Sequence, residues 1–296
     1  MATASQDPQP QLQWEARQRP RAGVAAVIAV IGLIGQLFGQ LTLGKDIPSP
    51  SGLQALQRGV QPGPVDQLKS LQIPRFEYLS QHKPALILVG LAGLIGAVAT
   101  AWALGFLAVA VRSRLPEVKR FVIYLPIVGG VLSGLATFVG VFAEIAHDSS
   151  FLDGPRTVAA ASDASGLAIF VQYIGFIGVL ALAIGYVLVS LSGMRSGLLT
   201  RPLGVIGIVA GALLILPIMP LLGPLFEILY LAAAALLCFN FWIGAMPPAW
   251  STGKAEPWPT REPAPRRGAG VARSAPAPAA PSVGGDAPRR RRKKRR

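Results

Sequence analysis

The chain has 296 residues, 52% hydrophobic and only 14% charged, well under the roughly 25% charged residues that a water-facing domain carries. That surplus of apolar surface excludes an ordinary soluble fold and calls for lipid as solvent. The net charge of +14 does not mark a nucleic-acid-binding body, because residues 251–296 hold thirteen Lys/Arg against three Asp/Glu and leave only +4 for the first 250 residues.

Residues 1–21 are polar and read as a cytoplasmic N-terminal segment. The apolar run 22–43 follows, 22 residues long and without a small-residue cleavage pattern after Leu43, so it reads as a retained signal anchor. Further apolar runs cover 84–111, 121–146, 167–191, 202–219 and 224–245. Each is near the roughly 20 residues that cross a hydrocarbon core of about 30 Å at 1.5 Å per residue. Pro217 should kink or stop the fifth run, and residues 220–223 should close a tight hairpin into the sixth. The prediction is an all-α polytopic membrane protein: a six-transmembrane-helix bundle over 22–246, an outer loop over 44–83 and a tail over 247–296. In the outer loop, Leu53, Leu56 and Val60, then Val65, Leu68 and Leu71, form two short amphipathic patterns that should lie on the membrane surface or cap the bundle.

Basic residues orient the spans. Arg17, Arg19 and Arg21 precede the first; Arg112, Arg114, Lys119 and Arg120 follow the second; Arg195 and Arg201 follow the fourth; and the tail follows the sixth. The opposite side offers Arg156 against Asp148, Asp153 and Asp163. Both termini are therefore expected in the cytoplasm, with the bacterial plasma membrane as the location. Lys45, Arg58, Lys69, Arg75 and Lys83 lie in the long outer loop, where the rule is weak. Phe121, Tyr124, Trp242 and Trp250 should mark the inner interface, and Phe76, Tyr78, Tyr173 and Tyr230 the outer one, unless they pack between helices.

Small residues recur at helical spacing: Gly32, Gly35 and Gly39 beside Gln36 and Gln40; Gly93, Ala97, Ala101 and Gly105; Gly130, Gly134, Ala136 and Gly140; Gly207 and Gly211. In lipid such faces let backbones approach, which predicts close packing within one bundle, with homo-oligomerisation as the alternative. The single cysteine, Cys238, excludes an intrachain disulfide and reads as a packing residue. Asn240 reads as a hydrogen-bond partner between helices.

Polar groups inside the spans are few, and Gln36, Gln40, Glu144, Gln172 and Glu227 all fall in the outer half of the expected topology. Polar and ionisable residues at that depth usually face a cavity or a partner, which predicts an outward-facing polar vestibule with Lys45, Lys83 and His147 at its rim. Glu144 and Glu227 also lie within about a turn of a span end, where a carboxylate can simply reach water. Two histidines and one cysteine make no zinc cluster, and the phosphate-loop, H-E-x-x-H and G-x-S-x-G patterns are missing, so no catalytic residue, metal or cofactor is expected.

Residues 251–288, rich in Pro, Ala and Gly, read as a disordered spacer ending in Arg289, Arg290, Arg291, Arg292, Lys293, Lys294, Arg295 and Arg296. Those eight should contact anionic lipids of the inner leaflet, in preference to nucleic acid. The heavy use of Ala, Gly, Pro and Arg looks like a high-GC bacterial genome. The run Pro247, Pro248, Ala249, Trp250, then Gly253, Lys254, Ala255, Glu256, Pro257, Trp258 and Pro259, resembles a post-helix segment of uncharacterised multi-pass membrane proteins of such bacteria, a resemblance that implies no activity. The leading expectation is a non-enzymatic scaffold or accessory subunit with a homo-oligomeric or protein partner. The alternative is a small-solute or ion transporter using the vestibule; an intramembrane enzyme comes third. The two halves of the span region show no evident inverted repeat, which weighs against transport.

Overall fold

The computed structural model describes residues 9–60, 64–163, 165–216, 221–242 and 246–256. The basic cluster 289–296, residues 257–288 of the spacer ahead of it, Pro217, and Pro220 of the expected hairpin turn lie outside the described residues. Those that are described form α1 (Gln9–Asp46), α2 (Gly52–Gly59), a 3-10 turn (Val65–Gln67), α3 (Ile73–Gln81), α4 (Lys83–Arg114), α5 (Phe121–Asp153), α6 (Val158–Ser162), α7 (Gly166–Ser196), α8 (Arg201–Ile215), α9 (Leu222–Cys238) and α10 (Ala249–Thr252). Among them there is no strand, only one antiparallel bridge between Lys69 and Thr157.

Four helical stretches are long and apolar enough to cross a membrane: α1, α4, α5 and the stretch Val158–Ser196 that contains α7. The fifth and sixth expected spans are shorter than their apolar runs. Helices α8 and α9 have 15 and 17 residues, lengths of only about 22 and 25 Å at the α-helical rise. Helix α9 stops at Cys238 because Asn240 turns left-handed (φ 66°) while the Phe241 N–H reaches back to the Leu236 carbonyl at 2.9 Å. Asn240 is thus a helix stop rather than the expected partner between helices. At the other short turn, Gly197 supplies the left-handed residue that ends α7, and the Thr200 side chain caps α8 by accepting from the Leu203 N–H.

Packing runs around a closed ring. Helix α1 lies on α4, α4 on α5, α5 on α7, α7 on α8, α8 on α9 and α9 back on α1, with α4 and α7 touching across the middle. The burial pattern is that of a protein solvated by lipid. Helix α1 buries Ala22, Ala26, Ala29 and Gly32 and turns Ile31 and Phe38 outward, 64% and 67% exposed. Helix α7 likewise buries Gly178, Ala183 and Gly185 and exposes Phe170, Tyr173 and Phe176. Apolar faces of this extent exceed the few hundred Å² that a water-soluble monomer tolerates.

The small-residue faces are consumed inside the bundle. A Cβ on Gly32 would stand 2.7 Å from the Gly96 backbone, and one on Gly178 would stand 2.5 Å from the Ser133 nitrogen, so α1 against α4 and α5 against α7 meet backbone to backbone. Gly178→Leu is expected to cost about 3 kcal/mol, the upper end of overpacking, because a backbone neighbour cannot swing away. Gly140→Ala, whose Cβ meets only Val171 at 3.7 Å, should be near neutral. Thermal unfolding of the two variants in detergent checks the contrast.

The segments at the ends of the bundle differ from expectation in one place, residues 247–256. Helix α2, capped by a Ser51/Gln54 box, leaves Leu53, Leu56 and Val60 exposed, whereas α3 lies on α5 with Phe76 and Leu79 buried and the Phe76 ring 4.4 Å from Phe151. The second amphipathic pattern begins as the 3-10 turn Val65–Gln67 and continues as an extended segment, in which the Ser70 N–H donates to the Arg156 carbonyl and the Val158 N–H to that of Leu68. Residues 247–256, assigned to the tail, pack back on the bundle, with Ala249 and Trp250 buried. Trp250 anchors them: its ring is too large and apolar to leave in water, and its Nε1–H donates to the Leu198 carbonyl at 3.0 Å. Phe121, Tyr124 and Tyr173 are exposed as interfacial rings should be, but Phe76, Tyr230 and Trp250 are packing residues.

Candidate functional site

All six apolar helices contribute to one small cavity of about 200 Å³ on the axis of the ring. Helix α1 supplies Gln36 and Gln40, α4 Thr100, α5 Ser133 and Thr137, α7 Val179 and Leu182, α8 Leu214, and α9 Glu227. Each polar group sits where its helix periodicity places it. Glu227, Tyr230, Leu231, Ala234 and Cys238 form one buried stripe of α9 at i, i+3, i+4, i+7 and i+11, so the carboxyl heads a core-facing row. Thr137 and Gly134 stand on the α5 face that meets α4, Ser133 stands beside them where α5 meets Gly178 of α7, and Thr100 continues the Gly93 and Ala97 row of α4.

Glu227 is 5% exposed and, among the described residues, is the one ionisable residue lining this cavity. Burial separates it from Glu144, which stays half-exposed and faces Arg75 at 3.9 Å across the outer surface. Reaching water at a span end therefore describes Glu144 and fails for Glu227. The Thr137 hydroxyl donates to the Ser133 carbonyl at 2.9 Å and the Ser133 hydroxyl to that of Gly130 at 3.2 Å. With their hydrogens spent on their own helix, both oxygens offer only lone pairs to the cavity. The Gln36 amide oxygen packs over Gly93, at 3.0 Å from where a Cβ would be. The lining thus carries one carboxyl, the amides of Gln36 and Gln40 and three hydroxyls, two of which can only accept, a set able to coordinate positive charge.

Two further cavities adjoin this one through shared walls. One of about 220 Å³ is lined by Gln36, Gln40, Arg75, Thr137 and Glu144 toward the end where α3 lies. A wider one of about 520 Å³, between α5, α6 and α7, has Ser133, Thr137, Glu144, His147 and Gln172 on its walls. Thr137 belongs to all three. The five residues singled out from sequence thus line adjoining spaces, but Gln172 reaches only the widest and Glu227 only the axial one. Of the expected rim, His147 lines the wide cavity while Lys45 and Lys83 line none of the three.

The opposite end is closed. Tyr186 and Tyr230 meet edge to face at 5.4 Å, both fully buried, next to the buried hydroxyls of Thr100 and Ser190. Beyond them Arg114 forms a bidentate pair with Glu15, at 2.6 and 2.7 Å, and donates to the Ala249 carbonyl at 2.8 Å. Arg19 stacks over Trp250 at 4.5 Å and donates to the Leu237 carbonyl. Sequence reasoning missed this plug, and it missed Thr100, Ser133 and Thr137, although their spacing from Gly93, Ala97, Gly130 and Gly134 was a usable signal.

At the open end, Asp148 is buried with both carboxylate oxygens unpartnered, near Glu144, His147, Arg75 and Lys83. A buried carboxylate without hydrogen bonds costs stability, so Asp148→Asn is expected to gain about 1 kcal/mol at neutral pH. The gain should shrink in acid, where the native carboxyl is itself neutral; paired thermal unfolding curves check this. Among the described residues no three His, Cys, Asp or Glu side chains gather closely enough to hold a metal. No protein-family model, curated protein or solved structure gives a significant match to this chain.

Proposed function

We propose that this chain is a six-span protein of a bacterial plasma membrane, both termini cytoplasmic, that admits a small monovalent cation or a proton from outside to Glu227. The observation that carries this reading is the convergence of all six apolar helices on a polar cavity whose one charge is a carboxylate. Ionisable groups inside membrane bundles commonly mark ion paths. The short helices α8 and α9 count as spans in this reading because they complete the ring and deliver Glu227 to its centre. The outer cavities supply the route in, and the tyrosine pair with the Glu15 and Arg114 plug supplies the closed side. A scaffold or accessory-subunit role draws its support from the basic composition of 289–296, which suits anionic lipid, and no geometry of the bundle favours it.

The test is flux. Purified protein in sealed liposomes, loaded with Na⁺, K⁺ or pH dyes, should carry at least one of these ions faster than protein-free vesicles. Absence of flux for all of them, together with no cation-dependent change in thermal stability, overturns the proposal.

A further inference from the structure

We propose that a groove between α1, α4 and α5, at the end where α1 begins, binds an anionic phospholipid, with an acyl chain in the groove and the phosphate on Arg21. The groove measures about 440 Å³. Its floor is indented because α4 places Ala101 and Gly105 there, and its closed end is formed by Trp14 stacked on Phe106 at 5.8 Å. Its lip, Val98, Trp102 and Ile127, stays exposed, so the groove opens sideways from the bundle.

Depth selects the occupant. The walls belong to the apolar runs of α4 and α5, so in a membrane the space faces hydrocarbon, and an apolar hollow is filled by chains rather than water. Arg21 selects the headgroup. It stands on the groove with Gln18 one turn before it on α1 and, among the described residues, has no ion pair or hydrogen bond. The nearby arginines are engaged inside the bundle, Arg114 with Glu15 and Arg19 with the Leu237 carbonyl and the Trp250 ring, although the Arg19 Nε–H finds no acceptor. Arg21 directly precedes the first apolar run, at headgroup level in this reading, and a guanidinium there without a protein counter-ion is matched by a phosphate, which it grips with two parallel hydrogen bonds. This site is separate from the tail at 289–296, and it rests only on the membrane reading, not on the axial cavity.

The experiment uses the full chain in nanodiscs, with native mass spectrometry and thermal unfolding across lipids of identical acyl chains. Phosphatidylglycerol should be retained and should stabilise the protein over phosphatidylcholine. Arg21→Gln should cut the retained fraction about tenfold and erase the preference, and Arg21→Lys should keep part of it. Val98→Phe, which fills the groove from an exposed position, should displace the lipid whatever its headgroup. Inorganic phosphate should not stabilise the protein. Equal retention by wild type, Arg21→Gln and Val98→Phe, or stabilisation by free phosphate alone, overturns the site. Because flux through the axial cavity is a separate readout, failure here leaves that reading untouched, and the converse holds.

Discussion

Glu227→Gln is expected to abolish ion flux while leaving the fold intact. The amide matches the carboxyl in size and can still accept a hydrogen bond, so the 5%-exposed site keeps its packing. What disappears is the negative charge in a cavity otherwise lined by neutral Gln36, Gln40, Thr100, Ser133 and Thr137. In a low-dielectric setting one charge outweighs several dipoles, so the loss should exceed tenfold, whereas Gln40→Ala, at a partly exposed edge, should cost only a few-fold. Flux in liposomes decides the first point and the thermal midpoint the second. Removing a buried charge with no ionic partner should leave stability unchanged or raised. Unchanged flux in Glu227→Gln would remove the carboxylate from the mechanism.

Glu15→Ala should be the most destabilising single change in the molecule. It strands the Arg114 guanidinium, whose side chain is 0% exposed, with only neutral partners: the Ala110 and Ala249 carbonyls, the Ser113 hydroxyl and the Trp250 ring. Breaking one side of such a pair costs about 3–5 kcal/mol, because the remaining charge keeps its desolvation penalty without its counter-ion. For a chain of this size that corresponds to a fall of about 10 °C in thermal midpoint. Glu15→Gln keeps an acceptor and should lose less. The double change Glu15→Met with Arg114→Met should recover most of the stability, since an apolar replacement removes both desolvation costs together. A double-mutant cycle on the thermal midpoint reads the coupling, and additive losses would mean that the two groups do not depend on each other.

Both changes bear on what was legible in the chain. Gln36, Gln40 and Glu227 stood out from sequence because a polar side chain in an apolar run has few physical excuses, and all three line the axial cavity. Thr100, Ser133 and Thr137 escaped notice because hydroxyls cost little in a helix that can bond them to its own carbonyls, as Ser133 and Thr137 do. Glu15 looked like an ordinary polar residue of an N-terminal segment; its partner is 99 positions away, and no local pattern encodes such a pairing. Trp250 looked like an interfacial ring or the start of a tail, yet it seats residues 247–256 against the bundle.

Composition and periodicity determined by themselves that this is an all-helical chain with long apolar helices, because hydropathy is a local property: every apolar run of sufficient length must satisfy its backbone internally and meet lipid or another helix. Glycine spacing likewise marked faces suited to close approach, such as the one where the absence of a Cβ lets Gly130 rest on the Ala97 backbone, but not which faces meet. Tertiary structure alone decided the closure of the ring, the burial of Glu227 as against Glu144, the ends of α8 and α9, and the plug of Glu15, Arg114 and Trp250. Those outcomes depend on which distant surfaces touch, and the energy of a buried charge is set by neighbours that the linear order of residues does not name.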